Sequence, residues 1–304
     1  MASELRLALP RFVALKGDND RYLCLSPLEG RSATVELSFV SIKQTSSGKF
    51  WRLGDSNFIL ADAGDSSNDN TLFHPFKVDS QSIALLSSAN NLFCTRYSLD
   101  PPYLNALNAN ADFTNFWAGL RVEEPVMKRE ISNIVYHLEK SNIRDKKSVV
   151  LVTFTYSATN TSRGASTTVD VKLPYQDVKT TIWKTKLSLE LEAKATFETT
   201  TFPVIVDGGK VGFSGEARRK NELDETIITT TLLEDVHSVV VPPKTKVVVS
   251  LIATKGKCDI PFTFTQSDTL YNGKSFTTEV KDNTYTVCNL YDFKFQTTSE
   301  PVDA

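Results

Sequence analysis

Side chains able to catalyse are few in this chain and stand apart. His74, His137 and His237 are its three histidines. They fall in neither an HExxH helix nor a recognised nucleophile arrangement. The sequence carries no glycine-rich phosphate loop and no GxSxG elbow. Cys24, Cys94, Cys258 and Cys288 show no CxxC pair and no metal-ligand spacing. They read as reduced, buried thiols, with Cys258 and Cys288 the pair able to join if the chain were secreted. No enzyme activity, cofactor or metal is therefore expected.

The chemistry that the residues do offer is amphipathic. Over residues 187–197, Leu187, Leu189, Leu191, Ala193, Ala195 and Phe197 alternate with Ser188, Glu190, Glu192, Lys194 and Thr196. That is the period of a β-strand, whose side chains point alternately to two faces. A turn-rich tip follows, from Pro203 to Asp207, Gly208 and Gly209. The chain returns with Val211, Phe213, Gly215 and Ala217 on one face and Gly212, Ser214, Glu216 and Arg218 on the other. Eleven residues at ~3.3 Å each make roughly 36 Å of strand. Tilted by about 40°, it reaches roughly 28 Å, close to the ~30 Å hydrocarbon core of a bilayer. The same alternation also suits a half-buried strand of a soluble sheet.

The rest of the composition sets the frame. The 304 residues suffice for about two domains. Lys and Arg number 34 against 36 Asp and Glu, a formal charge of −2, so no nucleic-acid partner is expected. Abundant Phe, Thr, Ser and Val favour strands. No apolar run of about 18 residues is present to make a transmembrane helix. Residues 1–12 lack an apolar core and cleavage site, so the expected location is cytoplasmic, soluble until assembly on a membrane.

Before residue 124 a unit recurs three times. Phe12–Lys16 precedes Arg21–Cys24, Phe39–Lys43 precedes Lys49–Arg52, and Ser82–Leu86 precedes Asn91–Cys94. Each is a short strand, a polar turn and an aromatic-containing strand, hence a hairpin. Three such hairpins predict a β-trefoil over residues 1–124. Within the repeats, Lys49-Phe50-Trp51-Arg52-Leu53, Phe58-Ile59-Leu60-Ala61-Asp62, Leu104-Asn105-Ala106 and Leu120-Arg121-Val122-Glu123-Glu124 resemble the amaranthin-like agglutinin domain of plants. The resemblance implies a β-trefoil that binds glycans containing galactose or N-acetylgalactosamine. It implies contacts from the loop Asp55, Ser56, Asn57 and Phe58, beside Trp51. An aromatic face takes the apolar side of a sugar ring, and planar amides or carboxylates take its hydroxyls. Phe58 stands where the family has Trp, and Thr45-Ser46 where it has Asn-Tyr.

Glu123-Glu124-Pro125 reads as a linker to a second domain, residues 125–304. Residues 131–138 fit a helical stripe or a strand. Strands are expected at 149–156, 169–173, 180–184, 226–233, 239–249 (interrupted by Pro242-Pro243), 260–264 and 285–287. The Thr180-Thr181-Ile182-Trp183 lead-in, the alternating hairpin, Val241-Pro242-Pro243-Lys244-Thr245-Lys246 and the segment Cys258-Asp259-Ile260-Pro261-Phe262-Thr263-Phe264 follow in that order. Together they resemble the aerolysin-like pore-forming module, and the whole chain resembles the plant chimeric lectins that join the two. The expected class is all-β, an N-terminal β-trefoil followed by an elongated antiparallel domain with an insertion hairpin at about 186–218.

The resemblance implies a homo-oligomer in target membrane lipid. A lone hairpin leaves backbone groups unpaired at its edges, so several copies must close a barrel. The membrane-facing set would be Leu187, Leu189, Leu191, Ala193, Ala195, Phe197, Val211, Phe213, Gly215 and Ala217. The lumen set would be Glu190, Glu192, Lys194, Glu216 and Arg218, with Glu198 beside them. Residues 202–206 would cross first, or lie as a buried loop under the sheet. Arg218-Arg219-Lys220 is a cleavage site or a solvated strand base. The rival to a pore former is a non-lytic glycan-binding or trafficking protein. A Leu189→Glu variant puts a charge on the lipid face. It is expected to lose dye release from liposomes while keeping sugar binding; equal release by variant and parent would refute the lipid-facing assignment.

Overall fold

The computed structural model describes residues 7, 9–27, 39–44, 47–98, 105–160, 164–185 and 195–301, without the side chains of 24–27, 152–160 and 216–219. The chain groups into two compact units. The first takes the described residues up to Arg129 together with Ser267–Thr277; the second takes the rest.

Among the described residues, nine short strands build the first unit: β1 (Phe12–Lys16), β2 (Tyr22–Pro27), β3 (Phe50–Leu53), β4 (Ile59–Ala63), β5 (Phe73–Lys77), β6 (Ser82–Ser87), β7 (Phe93–Tyr97), β8 (Ala106–Ala111) and β9 (Leu120–Glu123). The three hairpins expected from the repeated unit are present. β1 pairs β2 antiparallel. Ile42 accepts from the Trp51 N–H and Lys43 bridges Phe50. Leu86 of β6 faces Phe93 of β7. The last strand returns to the first, with Leu15 opposite Val122. One core gathers from all of these, with Val13, Leu15, Ile42, Trp51, Ile83, Leu85, Cys94 and Val122 almost fully buried. Burial alone drives the Cys94 thiol up to about 12, as suits an inert core sulfur.

Eight strands follow: β10 (Val126–Tyr136), β11 (Asn142–Asn160), β12 (Thr167–Lys184), β13 (Thr196–Val206), β14 (Lys210–Glu222), β15 (Thr226–Val241), β16 (Thr245–Leu270) and β17 (Ser275–Pro301). Residues 131–138, ambiguous in sequence, lie on strand β10 up to Tyr136 and then turn. Segments expected as separate strands run together. The 169–173 and 180–184 runs are one strand, β12, which pairs β15 continuously from Thr167↔Val241 to Ile182↔Thr226. The sequence breaks at Pro174, but β12 pairs its other neighbour only over Thr180–Lys184. Pro174 therefore serves one ladder and needs no second donor. The sheet order is β10-β16-β17-β12-β15, with β11 also on β16.

β16 is buried at every second residue from Val247 to Ala253 and again from Gly256 to Phe264. The phase slips at Thr254 and Lys255, beside a register shift against β11. Toward one end, Val171, Leu173, Tyr175, Val239 and Val241 pack with Val247, Val249 and Leu251. Toward the other, Phe262, Tyr285 and Val287 pack with Trp183 and the β13 side chains.

Within the first unit, Arg129 joins two carboxylates, Nη2 to Glu124 Oε1 at 2.6 Å and Nε to Asp268 Oδ1 at 2.7 Å. All three side chains are nearly buried. Burial raises the Glu124 carboxyl above its ordinary range, and the Arg129 hydrogen bond pulls it back in part. Removing one partner leaves charge unpaired in a dry place. Asp268→Ala is expected to cost about 3 kcal/mol in urea unfolding, against almost nothing for the same change at exposed Asp62.

Candidate functional site

The hairpin of interest is β13–β14. Its turn falls where the sequence placed it, at Asp207, Gly208 and Gly209, with both glycines at positive φ. The ladder runs from Val206↔Lys210 down to Thr196↔Glu222, broken between Thr199 and Thr201. The outgoing arm expected at 187–197 lies mostly outside the described residues: Leu187, Leu189, Glu190, Leu191, Glu192, Ala193 and Lys194 cannot be placed on either face. Its last two members, Ala195 and Phe197, are buried at 7% and 5% exposure. Val211 is half-buried against the core, while Phe213 and Gly215 are exposed. Glu216, Ala217 and Arg218 fall in the broken register, and their side chains lie outside those described.

The stretch 202–206 is a strand arm and not a tip. Phe202, Val204 and Ile205 are buried at 4%, 9% and 2% exposure. Val206, at the turn, is exposed. The reason for the burial is packing. Trp183, 1% exposed, meets Phe197 at 5.4 Å and Phe202 at 6.4 Å between ring centroids, and Tyr285 at 4.9 Å. Lys179 lies 4.4 Å over the Phe202 ring.

β13 and β14 form a two-stranded sheet of their own, so β13 receives no ladder from the six-stranded sheet. Side chains of β17 stand in for one. Asn289 Oδ1 accepts from the Ile205 N–H at 3.0 Å and its Nδ2 donates to the Ile205 carbonyl at 2.8 Å. Tyr285 Oη donates to the Pro203 carbonyl at 3.0 Å. At the turn, the Gly208 N–H donates to Asp292 Oδ1 at 2.6 Å and the Asp292 N–H to Asp207 Oδ1 at 2.9 Å. Trp183 Nε1 donates to Tyr136 Oη at 2.9 Å, and burial pushes the Tyr136 phenol up to about 12. At the base, Asp224 accepts from the Thr185 N–H and hydroxyl. Gly256 makes the close seating possible, since a Cβ there would lie 2.9 Å from Tyr291 Cε1 and 3.0 Å from Ile205 Cδ1.

Sequence reading missed Tyr136, Asn289 and Asp292. A signal existed for one. Tyr285, Val287, Asn289 and Tyr291 occupy the buried phase of β17, so Asn289 is a polar residue where the period asks for an apolar one. Among the described residues no group of three or more His, Cys, Asp or Glu is arranged to hold a metal. Cys94, Cys258 and Cys288 are free thiols, and burial, helped by Asp259, raises Cys258 to about 11. No described helix is long and apolar enough to cross a membrane, which says nothing of strands.

The candidate sugar loop joins β3 to β4. Asp55–Asn57 form one 3-10 turn, with Ser56 at φ 53° and Asn57 at φ 64°. Asp55 and Ser56 are exposed. Asn57 Oδ1 accepts from Asn90 Nδ2 at 3.3 Å. Phe58 is half-buried, edge-on to Tyr97. Trp51 corrects the expectation. Its ring is 5% exposed in the core and edge-on to Phe73, so no face is open to a sugar. β3 alternates, and Trp51 takes the inward phase between Phe50 and Arg52.

No family model and no curated protein matches the chain. Among solved structures, it is similar to a lamprey immune protein at 14% identity and a TM-score of 0.45, covering 86% of this chain and 87% of that one. An aerolysin-like protein of Bombina maxima aligns at 14% identity and a TM-score of 0.33, covering 56% and 98%. The Mpp75Aa1.1 beta-pore-forming protein of Brevibacillus laterosporus aligns at 13% and 0.32, covering 74% and 81%.

If Asn289 holds the hairpin in place of a strand, Asn289→Leu strands two buried backbone groups at about 1–3 kcal/mol each. Hydrogen exchange at Ile205 is expected to accelerate in the variant far more than exchange within β16. Equal acceleration in both would mean that the amide serves only general stability.

Proposed function

We propose that this chain is a glycan-binding β-pore-forming protein. In this reading the first unit is a β-trefoil of amaranthin type. It gathers copies on surface glycans that contain galactose or N-acetylgalactosamine and so raises their local concentration. The second unit is an aerolysin-like module. It releases the hairpin about residues 186–218, and copies close a barrel through target membrane lipid. The chain is soluble, and cytoplasmic where made, until that assembly.

One observation carries the pore half. A two-stranded ribbon sits on a larger sheet without joining its ladder, held by side-chain hydrogen bonds and aromatic packing. Such an attachment breaks without unpicking any strand pair of the six-stranded sheet, and the ribbon's internal ladder survives the move. Pairing with neighbouring copies then satisfies its edges, as lipid demands. The lectin half is supported by three hairpins that share one core and by a last strand that closes on the first. The rival, a non-lytic glycan-binding or trafficking protein, would keep the ribbon seated throughout.

The test is a reversible staple. Asp207 Oδ1 accepts from the Asp292 N–H, and Asp292 Oδ1 accepts from the N–H of the next residue, Gly208, so Asp207→Cys with Asp292→Cys sets two thiols at the attachment for a disulfide. The oxidised protein is expected to bind glycan-bearing liposomes without releasing dye, and reduction to restore release. Release that ignores the staple overturns hairpin insertion, and no release under any condition favours the rival.

A further inference from the structure

The geometry points to a neutral-sugar site built on Trp117, beside the Asp55–Phe58 loop, whose Phe58 meets Tyr97 of the larger hollow. It rests on the glycan-binding half of the proposed function and is independent of the pore half. Of the chain's three tryptophans, Trp51 and Trp183 are 5% and 1% exposed, whereas Trp117 is 52% exposed. An indole left half open in a folded unit is unusual for so large an apolar ring. It is not on a loose loop. Asn115 Oδ1 accepts from the Trp117 N–H at 3.0 Å, and the next residues, Ala118 and Leu120, are 0% and 2% exposed.

Two hollows flank this ring, one of about 420 Å³ and one of about 140 Å³, and Arg96 and Trp117 line both. The larger falls within the roughly 300–1,000 Å³ of small-molecule sites. Its polar wall is already ordered. Arg96 holds Asp18 in a two-pronged pair, Nε to Oδ1 and Nη2 to Oδ2, each at 2.7 Å. Arg96 Nη1 reaches Asn105 Oδ1 at 3.4 Å, and Asn19 Nδ2 donates to the same oxygen at 3.1 Å. In the larger hollow, Asn110 accepts the Thr95 hydroxyl at 2.6 Å and is itself exposed.

These parts fit a pyranose. Its C–H face lies on the indole, and adjacent hydroxyls meet the planar guanidinium and amide groups, which donate and accept from fixed positions. Pre-ordered partners lower the entropy lost on binding. The charge of the wall selects the sugar class. Arg96 is the charged side chain of the larger hollow, and Asp18, whose side chain is 5% exposed, already neutralises it, so the larger hollow suits an uncharged hexose, while Arg21 lines the smaller one.

Tryptophan fluorescence isolates the site, because Trp117 alone is open to a quencher. Saturation of the full chain with a neutral galactose-terminated oligosaccharide is expected to shield the emission from acrylamide. Trp117→Ala should weaken binding by about tenfold or more, with Trp117→Tyr retaining most of it and all variants melting together. An Asp55→Ala, Asn57→Ala double variant should lose less binding than Trp117→Ala. Binding lost in the double variant and kept in Trp117→Ala overturns this site while leaving the glycan-binding half standing. A 6-sulfated galactoside that binds more tightly than its neutral form overturns the neutral class. Absence of binding to any member of a galactose and N-acetylgalactosamine panel overturns the site and the glycan-binding half together.

Discussion

Every backbone polar group removed from water needs a partner, and the β13–β14 ribbon is where that requirement shapes this protein. Among the described residues its strands pair with each other and with no strand of the larger sheet. Ile205 is 2% exposed, so its N–H and carbonyl need partners that a neighbouring strand would ordinarily provide. The carboxamide of Asn289 supplies both at once, imitating one residue of a strand. An unmet pair of this kind costs about 1–3 kcal/mol per group, so the buried position of the arm and the polar residue in β17 depend on each other. The aromatic cluster at Trp183 adds the apolar half of the attachment, and Gly256 adds the space.

This division of labour sets the mobility hierarchy of the second unit. The β12–β15 ladder pairs sixteen residues on each side without a shift in register. The ribbon is attached through a handful of side-chain bonds. Cooperative elements with fewer cross-links open at lower free energy than the strands around them. A segment that is complete in its internal hydrogen bonding and only lightly fastened outside can change surroundings without unfolding.

Much of the architecture was legible in the residues. The three hairpins of the first unit followed from short apolar runs broken by polar turns, and Asp207-Gly208-Gly209 fixed the ribbon's turn because both glycines take positive φ. Strand lengths were less legible. The runs 169–173 and 180–184 were read as two strands, but they are one, because a proline between them is harmless where a strand has one partner, and partner number is a tertiary fact. Trp51 shows the same limit in the candidate site. Its sequence neighbours place it beside an exposed loop, yet strand phase turns it into the core. Trp117 carried no motif to find; the fold alone brings Arg96 of β7 and Asp18 of the β1–β2 turn to it.

Pro203 has a bearing on solubility. Phe202-Pro203-Val204-Ile205-Val206 would otherwise be a five-residue run of strongly strand-forming, uncharged side chains, the composition that stacks into amyloid. The ring at its second position removes one N–H from the strand, and a stack of identical chains would lose that bond in every layer. The Tyr285 hydroxyl uses the one backbone group that the proline retains, its carbonyl. A single residue thus keeps the acceptor that Tyr285 uses and removes the donor that a stack of copies would need.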